Sequence, residues 1–149
     1  MKKLENKVAI VTGAGSGIGK AIAMLYAKEG AAVMVSDINE QGGNETVELI
    51  TKNGGKAAFF KADSSSAADN EALVAETVKK FGRLDIACNN AGIGGEANLT
   101  ADYSVAGWEK VINVNLNGVF YGCKYQLQQM EKNGGGNIVN IASIHGAVA

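Results

Sequence analysis
Runs of aliphatic and β-branched residues alternate along the chain with longer stretches whose apolar positions recur every three or four residues. Residues 7–12 (KVAIVT) are an unbroken apolar run, the pattern of a strand covered on both faces. Residues 18–29 place Ile22, Leu25 and Tyr26 on one helical face, and Gly30 closes that helix. A second strand is predicted over 32–36 (AVMVS). A polar surface helix follows over 40–52, with Val47, Leu49 and Ile50 as its apolar positions and Asn53-Gly54 as its stop. The third strand is predicted over 57–61, a helix with Leu73, Val74 and Val78 inward over 66–81, and the fourth strand over 84–89 (LDIACN). A loop then leads to one long helix over about 107–131, a glycine turn at 134–136 and a fifth strand over 138–142. The segment 137–143 (NIVNIAS) reads as a buried strand that delivers a serine at its end.

Strands separated by helices imply right-handed βαβ crossovers and a parallel sheet. The expected architecture is α/β, a doubly wound parallel sheet of strand order 3-2-1-4-5 with helices on both faces. Residues 1–149 form one domain on this reading, since a chain of 149 residues falls within the usual size of one. A net charge of −1 gives no electrostatic reason to bind nucleic acid or an anionic membrane surface. No apolar run reaches the roughly 20 residues of a membrane span, and the first residues lack the form of a secretory signal. Cys88 and Cys123 sit in apolar stretches and read as thiols in a reducing, cytoplasmic setting. The absence of proline is unusual for the loops of a complete α/β enzyme and is a first sign of a longer protein.

The turn after the first strand is Thr12-Gly13-Ala14-Gly15-Ser16-Gly17-Ile18-Gly19-Lys20. A P-loop fails on it twice: Ala14 stands where its first glycine belongs, and Ala21 where Ser or Thr belongs. The G-x-G-x-x-G spacing fails as well, because Ile18 or Lys20 would occupy its last glycine. What remains is Gly13-x-x-x-Gly17-x-Gly19 between a strand and a helix. That arrangement brings a backbone without side chains, and the N–H groups of a helix start, up to a pyrophosphate. A purely structural glycine turn is the plainer alternative, and the strand–turn–helix context argues against it. Asp37 ends the second strand, where a carboxylate accepts from a ribose diol and repels a 2′-phosphate. No Lys or Arg lies in 36–39, so NAD is expected rather than NADP. The other use of Asp37 is as a helix N-cap.

Four motifs in order give the chain a specific resemblance. Thr12–Gly19 of the turn, Asn89-Asn90-Ala91-Gly92 after strand four, Asn113-Val114-Asn115-Leu116-Asn117-Gly118 in the long helix, and Ile138-Val139-Asn140-Ile141-Ala142-Ser143 span nearly the whole sequence. Together they resemble the short-chain dehydrogenases/reductases, a family of NAD(P)-dependent oxidoreductases. The resemblance implies hydride transfer between the nicotinamide of NAD and a small-molecule secondary alcohol or ketone. It assigns Gly13, Ser16, Gly17, Ile18 and Gly19 to the pyrophosphate, Asp37 to the adenosine ribose, Asp63 and the Ser64 backbone N–H to adenine, and Asn90 to the nicotinamide ribose. Asn115 would serve a proton relay through an ordered water, and Ser143 would hydrogen-bond the substrate oxygen. No metal is implied. The helix bearing Asn115 resembles the family's subunit-contact helix, which implies a homodimer or homotetramer. Asn89 has a structural use, tying strand four to its neighbours.

Asn is a poor mid-helix residue, so Asn113, Asn115 and Asn117 together predict a kink. His145, the single histidine, is expected in a pocket wall rather than as a base, having no orienting partner in the sequence. The family's central acid/base, the tyrosine of Tyr-x-x-x-Lys, is absent. Four residues after Tyr26, Tyr103, Tyr121 and Tyr125 stand Gly30, Gly107, Tyr125 and Gln129. A phenol with its ordinary pKa near ~10 is a poor base at neutral pH without a neighbouring cation. The 149 residues are therefore expected to belong to a longer enzyme and to be inactive alone. The competing reading is a non-catalytic dinucleotide-binding module.

Overall fold
The computed structural model describes residues 2–146. Five parallel strands, β1 (Val8–Thr12), β2 (Ala32–Asp37), β3 (Lys56–Lys61), β4 (Ile86–Asn89) and β5 (Asn137–Asn140), form one sheet in the order β3-β2-β1-β4-β5. The helices are α1 (Gly17–Lys28), α2 (Glu40–Lys52), α3 (Ala67–Phe81), α4 (Val105–Ile112) and α5 (Gly118–Lys132). The expected doubly wound α/β architecture and strand order are those observed.

The two faces of the central strands follow from the period of two. Ala9, Val11, Val33 and Val35 point to one side, where Ala23 and Ala27 of α1 and Ile50 of α2 close over them. Ile10 and Met34 point to the other, against Leu73 and Val74 of α3 and Met130 of α5. Every β1 residue is buried, as its unbroken apolar run requires. Burial pushes the Cys88 thiol up from its ordinary pKa, and both cysteines are free, Cys123 being only half-buried.

Asp85 clamps the start of β1. It is buried, accepts from the Val8 N–H at 2.9 Å, and takes a forked contact from Arg83, with Nη2 at 2.6 Å. Asp85→Asn removes the charge while preserving the volume. Because Arg83 is half exposed, its contribution is screened, and we expect a loss of about 1–2 kcal/mol, read as a lower denaturant midpoint at unchanged slope.

Strand β4 begins at Ile86, two residues later than expected, and two further elements differ from expectation. The long helix is interrupted: Asn113–Asn117 forms a π turn between α4 and α5, with the Gly118 N–H reaching back to the Asn113 carbonyl. Asn113, Asn115 and Asn117, for which a kink is expected, all fall within this π turn. The fifth strand is shorter than expected and largely exposed, Val139 by 45% and Ile141, just beyond it, by 41%. Its apolar pattern suits a strand covered on both sides, but it lies at the sheet's edge. The other edge differs in chemistry: β3 begins and ends with lysine, whereas no Asp, Glu, Lys or Arg follows Lys132.

Candidate functional site
The strands end along one rim, at Thr12, Asp37, Lys61, Asn89 and Asn140. The chain leaves β1 toward β2 on one side, and the crossover from β3 returns it to β4 on the other. Between those diverging connections opens a cleft of about 930 Å³. Its walls include Gly13, Ser16, Gly17, Ile18 and Gly19 from the first connection, Asp37 from the second, Asp63 and Ser64 from the third, and Asn90 from the fourth. These residues are far apart in sequence and are brought together only by the sheet order.

The glycine turn is held from three directions. The Ala14 N–H donates to the Ser36 carbonyl at 3.0 Å, and the Gly15 N–H donates to Asp37 Oδ2 at 2.8 Å. From α2, the buried Thr46 hydroxyl donates to the Ala14 carbonyl at 2.9 Å. From β4, Asn90 Nδ2 donates to the Thr12 carbonyl at 2.9 Å, while the Asn90 and Ala91 N–H groups both donate to Thr12 Oγ1 at 3.0 Å. Gly19 lies against this tie: a Cβ there would overlap the Gly13 carbonyl and the Asn90 amide. Gly17 has φ +51° and open space where its Cβ would point. A left-handed backbone with nothing in front of it is what a close-approaching ligand needs.

The start of α1 differs from those of α2 and α3. Those helices carry Glu40 and Asp69 in their first turns and are capped by the side chains of Asn39 and Ser66. Helix α1 has no acidic residue in its first turn, and its N-cap Ser16 makes no side-chain cap bond. Its first-turn N–H groups and positive dipole end therefore face the cleft uncompensated. Asp37 does not cap α2, since Asn39 does; its carboxylate accepts from the Gly15 and Asn39 N–H groups at 2.8 and 2.9 Å. Asp63 Oδ1 accepts from the Ser65 N–H and hydroxyl, and the Ser64 carbonyl accepts from Asn70.

Asn115 and Ser143 do not line this cleft. Both polar atoms of the Asn115 side chain are engaged by Ile93, whose N–H donates to Oδ1 and whose carbonyl accepts from Nδ2, each at 2.9 Å. Asn115 stands directly behind Gly92 of the cleft wall, with Oδ1 3.4 Å from where a Gly92 Cβ would be. Ser143 is exposed, three residues beyond the end of β5, and its carbonyl accepts from the Gly146 N–H at 3.0 Å. The side chain of His145 lies outside the described residues.

The loop leaving the cleft is ordered by Glu96. Its carboxylate accepts from the Ser104 hydroxyl, the Ser104 N–H and Asn98, and the first of these contacts contributes most to holding it below the usual glutamate range. Tyr103 completes the loop by accepting from the Glu96 N–H at 2.8 Å. Sequence reasoning placed Thr12 in the turn without a role of its own and passed over Thr46, Glu96 and Ile93. Thr12 carried a signal, being the polar end of an otherwise apolar buried strand.

Comparison with known proteins agrees with the geometry. The family described as short chain dehydrogenase matches residues 7–149. Cyclohexanol dehydrogenase of Acinetobacter sp. (strain SE19) is 50% identical over 146 residues, covering 98% of this chain and 58% of that protein. Glucose 1-dehydrogenase 2 of Bacillus subtilis (strain 168) is 42% identical, covering 97% of this chain and 57% of that one. The crystal structure of levodione reductase superposes with a TM-score of 0.94 at 36% identity, covering 97% of this chain and 57% of that one. The chain thus spans a little over half the length of these relatives. With its sheet order, its glycine turn and these matches in agreement, the chain belongs to the short chain dehydrogenases, a family of oxidoreductases.

Proposed function
We propose that the chain is the dinucleotide-binding part of an NAD-dependent oxidoreductase that moves hydride between the nicotinamide and a secondary alcohol or ketone. One observation carries this reading: side chains and glycines from four separate βα connections wall a single cleft at the point where the strand order reverses. When bound, the nicotinamide dinucleotide supplies the redox chemistry. The open backbone at Gly17 and the first-turn N–H groups of Ile18 and Gly19 would hold the diphosphate, with the Ser16 hydroxyl beside them. Asp37, with lone pairs left after its two backbone contacts, would accept from the adenosine ribose; Asp63 and Ser64 would meet the adenine. Asn90 supports the turn from behind and reaches the nicotinamide side of the cleft only with its remaining atoms.

The charge of the cleft supports NAD over NADP. Among its described lining residues, Asp37, Asp63 and Glu109 are acidic, and Lys110 is the one cation. A 2′-phosphate beside Asp37 would meet a like charge with no guanidinium to offset it. For Asn115, whose side chain is held by Ile93, any part in proton relay falls to its main-chain carbonyl in the widened turn. Ser143 would donate to the substrate oxygen. Names such as cyclohexanol dehydrogenase and 3beta-hydroxysteroid dehydrogenase among the relatives favour an alcohol or ketone as the substrate class. Helix α4, the π turn and α5 expose Val105, Trp108, Leu116 and Phe120, each by 60% or more. A second copy of the enzyme is the proposed partner for these side chains, and solution mass measurement tests it.

The 149 residues contain no Tyr-x-x-x-Lys, so we expect binding without turnover. Titration of NADH into the folded chain should enhance and blue-shift its emission in a saturable way, while mixtures of NAD and cyclohexanol should form no reduced cofactor above buffer. Unchanged NADH emission at saturating protein would overturn the binding site; measurable turnover would overturn the need for the tyrosine.

A further inference from the structure
The ends of β4 and β5 are joined to α5 by amide side chains that the cleft does not use. Gln126 is 1% exposed and Asn89 5%. They form a closed pair: Gln126 Nε2 donates to Asn89 Oδ1 at 2.7 Å, and Asn89 Nδ2 donates to Gln126 Oε1 at 3.1 Å. Asn89 Nδ2 also donates to Asn140 Oδ1 at 2.9 Å, across the last register pair of β4 and β5. Beside it the Ile141 N–H donates to the Asn89 carbonyl at 3.0 Å. The next residue, Asn90, is tied to Thr12 under the glycine turn. Asn89 is therefore the junction between the support of that turn and the strand end that precedes Ser143.

Apolar burial gives β5 little hold of its own, since it is an edge strand with exposed side chains. Directional bonds take that part. A buried amide without a partner costs about 1–3 kcal/mol, so Gln126 fixes the orientation of the Asn89 amide, and Asn89 in turn selects Asn140. A one-residue slip of β5 would carry Asn140 to the opposite face and break the set.

We propose that Gln126 is a positioning residue: acting through Asn89, it fixes the end of β5 and so the start of the segment that carries Ser143. The functional weight of Ser143 rests on the oxidoreductase reading; the positioning does not.

Amide hydrogen exchange on the full chain tests this, with the Ile10 N–H as reporter of global stability and the Ile141 N–H as reporter of the strand end. In Gln126→Leu, protection at Ile141 should fall about tenfold or more beyond any fall at Ile10. In the double variant Asn89→Leu/Gln126→Leu, which orphans no partner between the two, protection at Ile10 should recover while Ile141 stays unprotected. The double variant also carries the test if the single one fails to fold. Ile141 tracking Ile10 in every variant that folds would overturn the proposal and leave Gln126 as core packing alone. NADH titration of the unsubstituted chain separates the two readings: absent binding there removes the oxidoreductase assignment, whereas the exchange pattern alone decides the role of Gln126.

Discussion
Adding a methyl group to Gly19 is expected to lower folding stability by about 2–3 kcal/mol and to abolish measurable dinucleotide binding. The new Cβ would overlap the Gly13 carbonyl and the Asn90 amide, and one of these is backbone. Neither can move alone, because Asn90 is bonded to Thr12 and the turn is held by Ser36, Asp37 and Thr46. The helix must instead retreat from β1, carrying its first-turn N–H groups away from the cleft. Gly17→Ala provides the contrast. Its Cβ meets nothing, so only left-handed strain of about 1–2 kcal/mol is expected, yet the methyl group stands in the cleft. Chemical denaturation and NADH fluorescence on the two variants should therefore separate: both lose binding, and Gly19→Ala loses more stability. Normal NADH affinity in Gly19→Ala would mean that the close contact of α1 with β1 is not what presents the N–H groups.

Asp37→Ala is expected to weaken NADH binding about tenfold to a hundredfold while leaving NADPH binding nearly unchanged, so that the preference narrows. The carboxylate acts twice. It is the acceptor offered to the ribose, and it anchors the Gly15 N–H of the turn. Loss of the anchor weakens both dinucleotides, whereas loss of the ribose contact weakens only NADH and loss of the negative charge favours only NADPH. Asp37→Asn keeps an oxygen for one backbone N–H and removes the charge. Raising the ionic strength should narrow the preference of the unsubstituted chain, because part of it is repulsion of a 2′-phosphate in a wet cleft. Measured affinities that keep the same ratio in Asp37→Ala would assign the choice to another group.

The sheet could be read from the sequence because its central strands are covered on both faces. Burial on both sides leaves no polar position in residues 8–11, and such runs separated by amphipathic helices admit few topologies. The cleft was legible for a related reason: a turn that must lack side chains leaves glycines at Gly13, Gly17 and Gly19. What escaped was set by neighbours distant in the chain. Nothing in residues 113–117 says that the Asn115 amide is taken up by Ile93 or that the helix there is π rather than merely bent. The apolar run at 138–141 reports only that a strand is suited to burial, not that its outer edge lies open. Nothing in the sequence sets Gln126 apart from its neighbours Gln128 and Gln129, yet it is among the most enclosed of the described side chains.

The unequal edges of the sheet limit how copies of this chain could stack. Lys56 and Lys61 would put like charges opposite one another if the β3 strands of two copies met, so that pairing is resisted. The β5 side carries no such guard. Of the three ways in which two edges of this sheet could meet, β3 against β3 is the one that charge opposes.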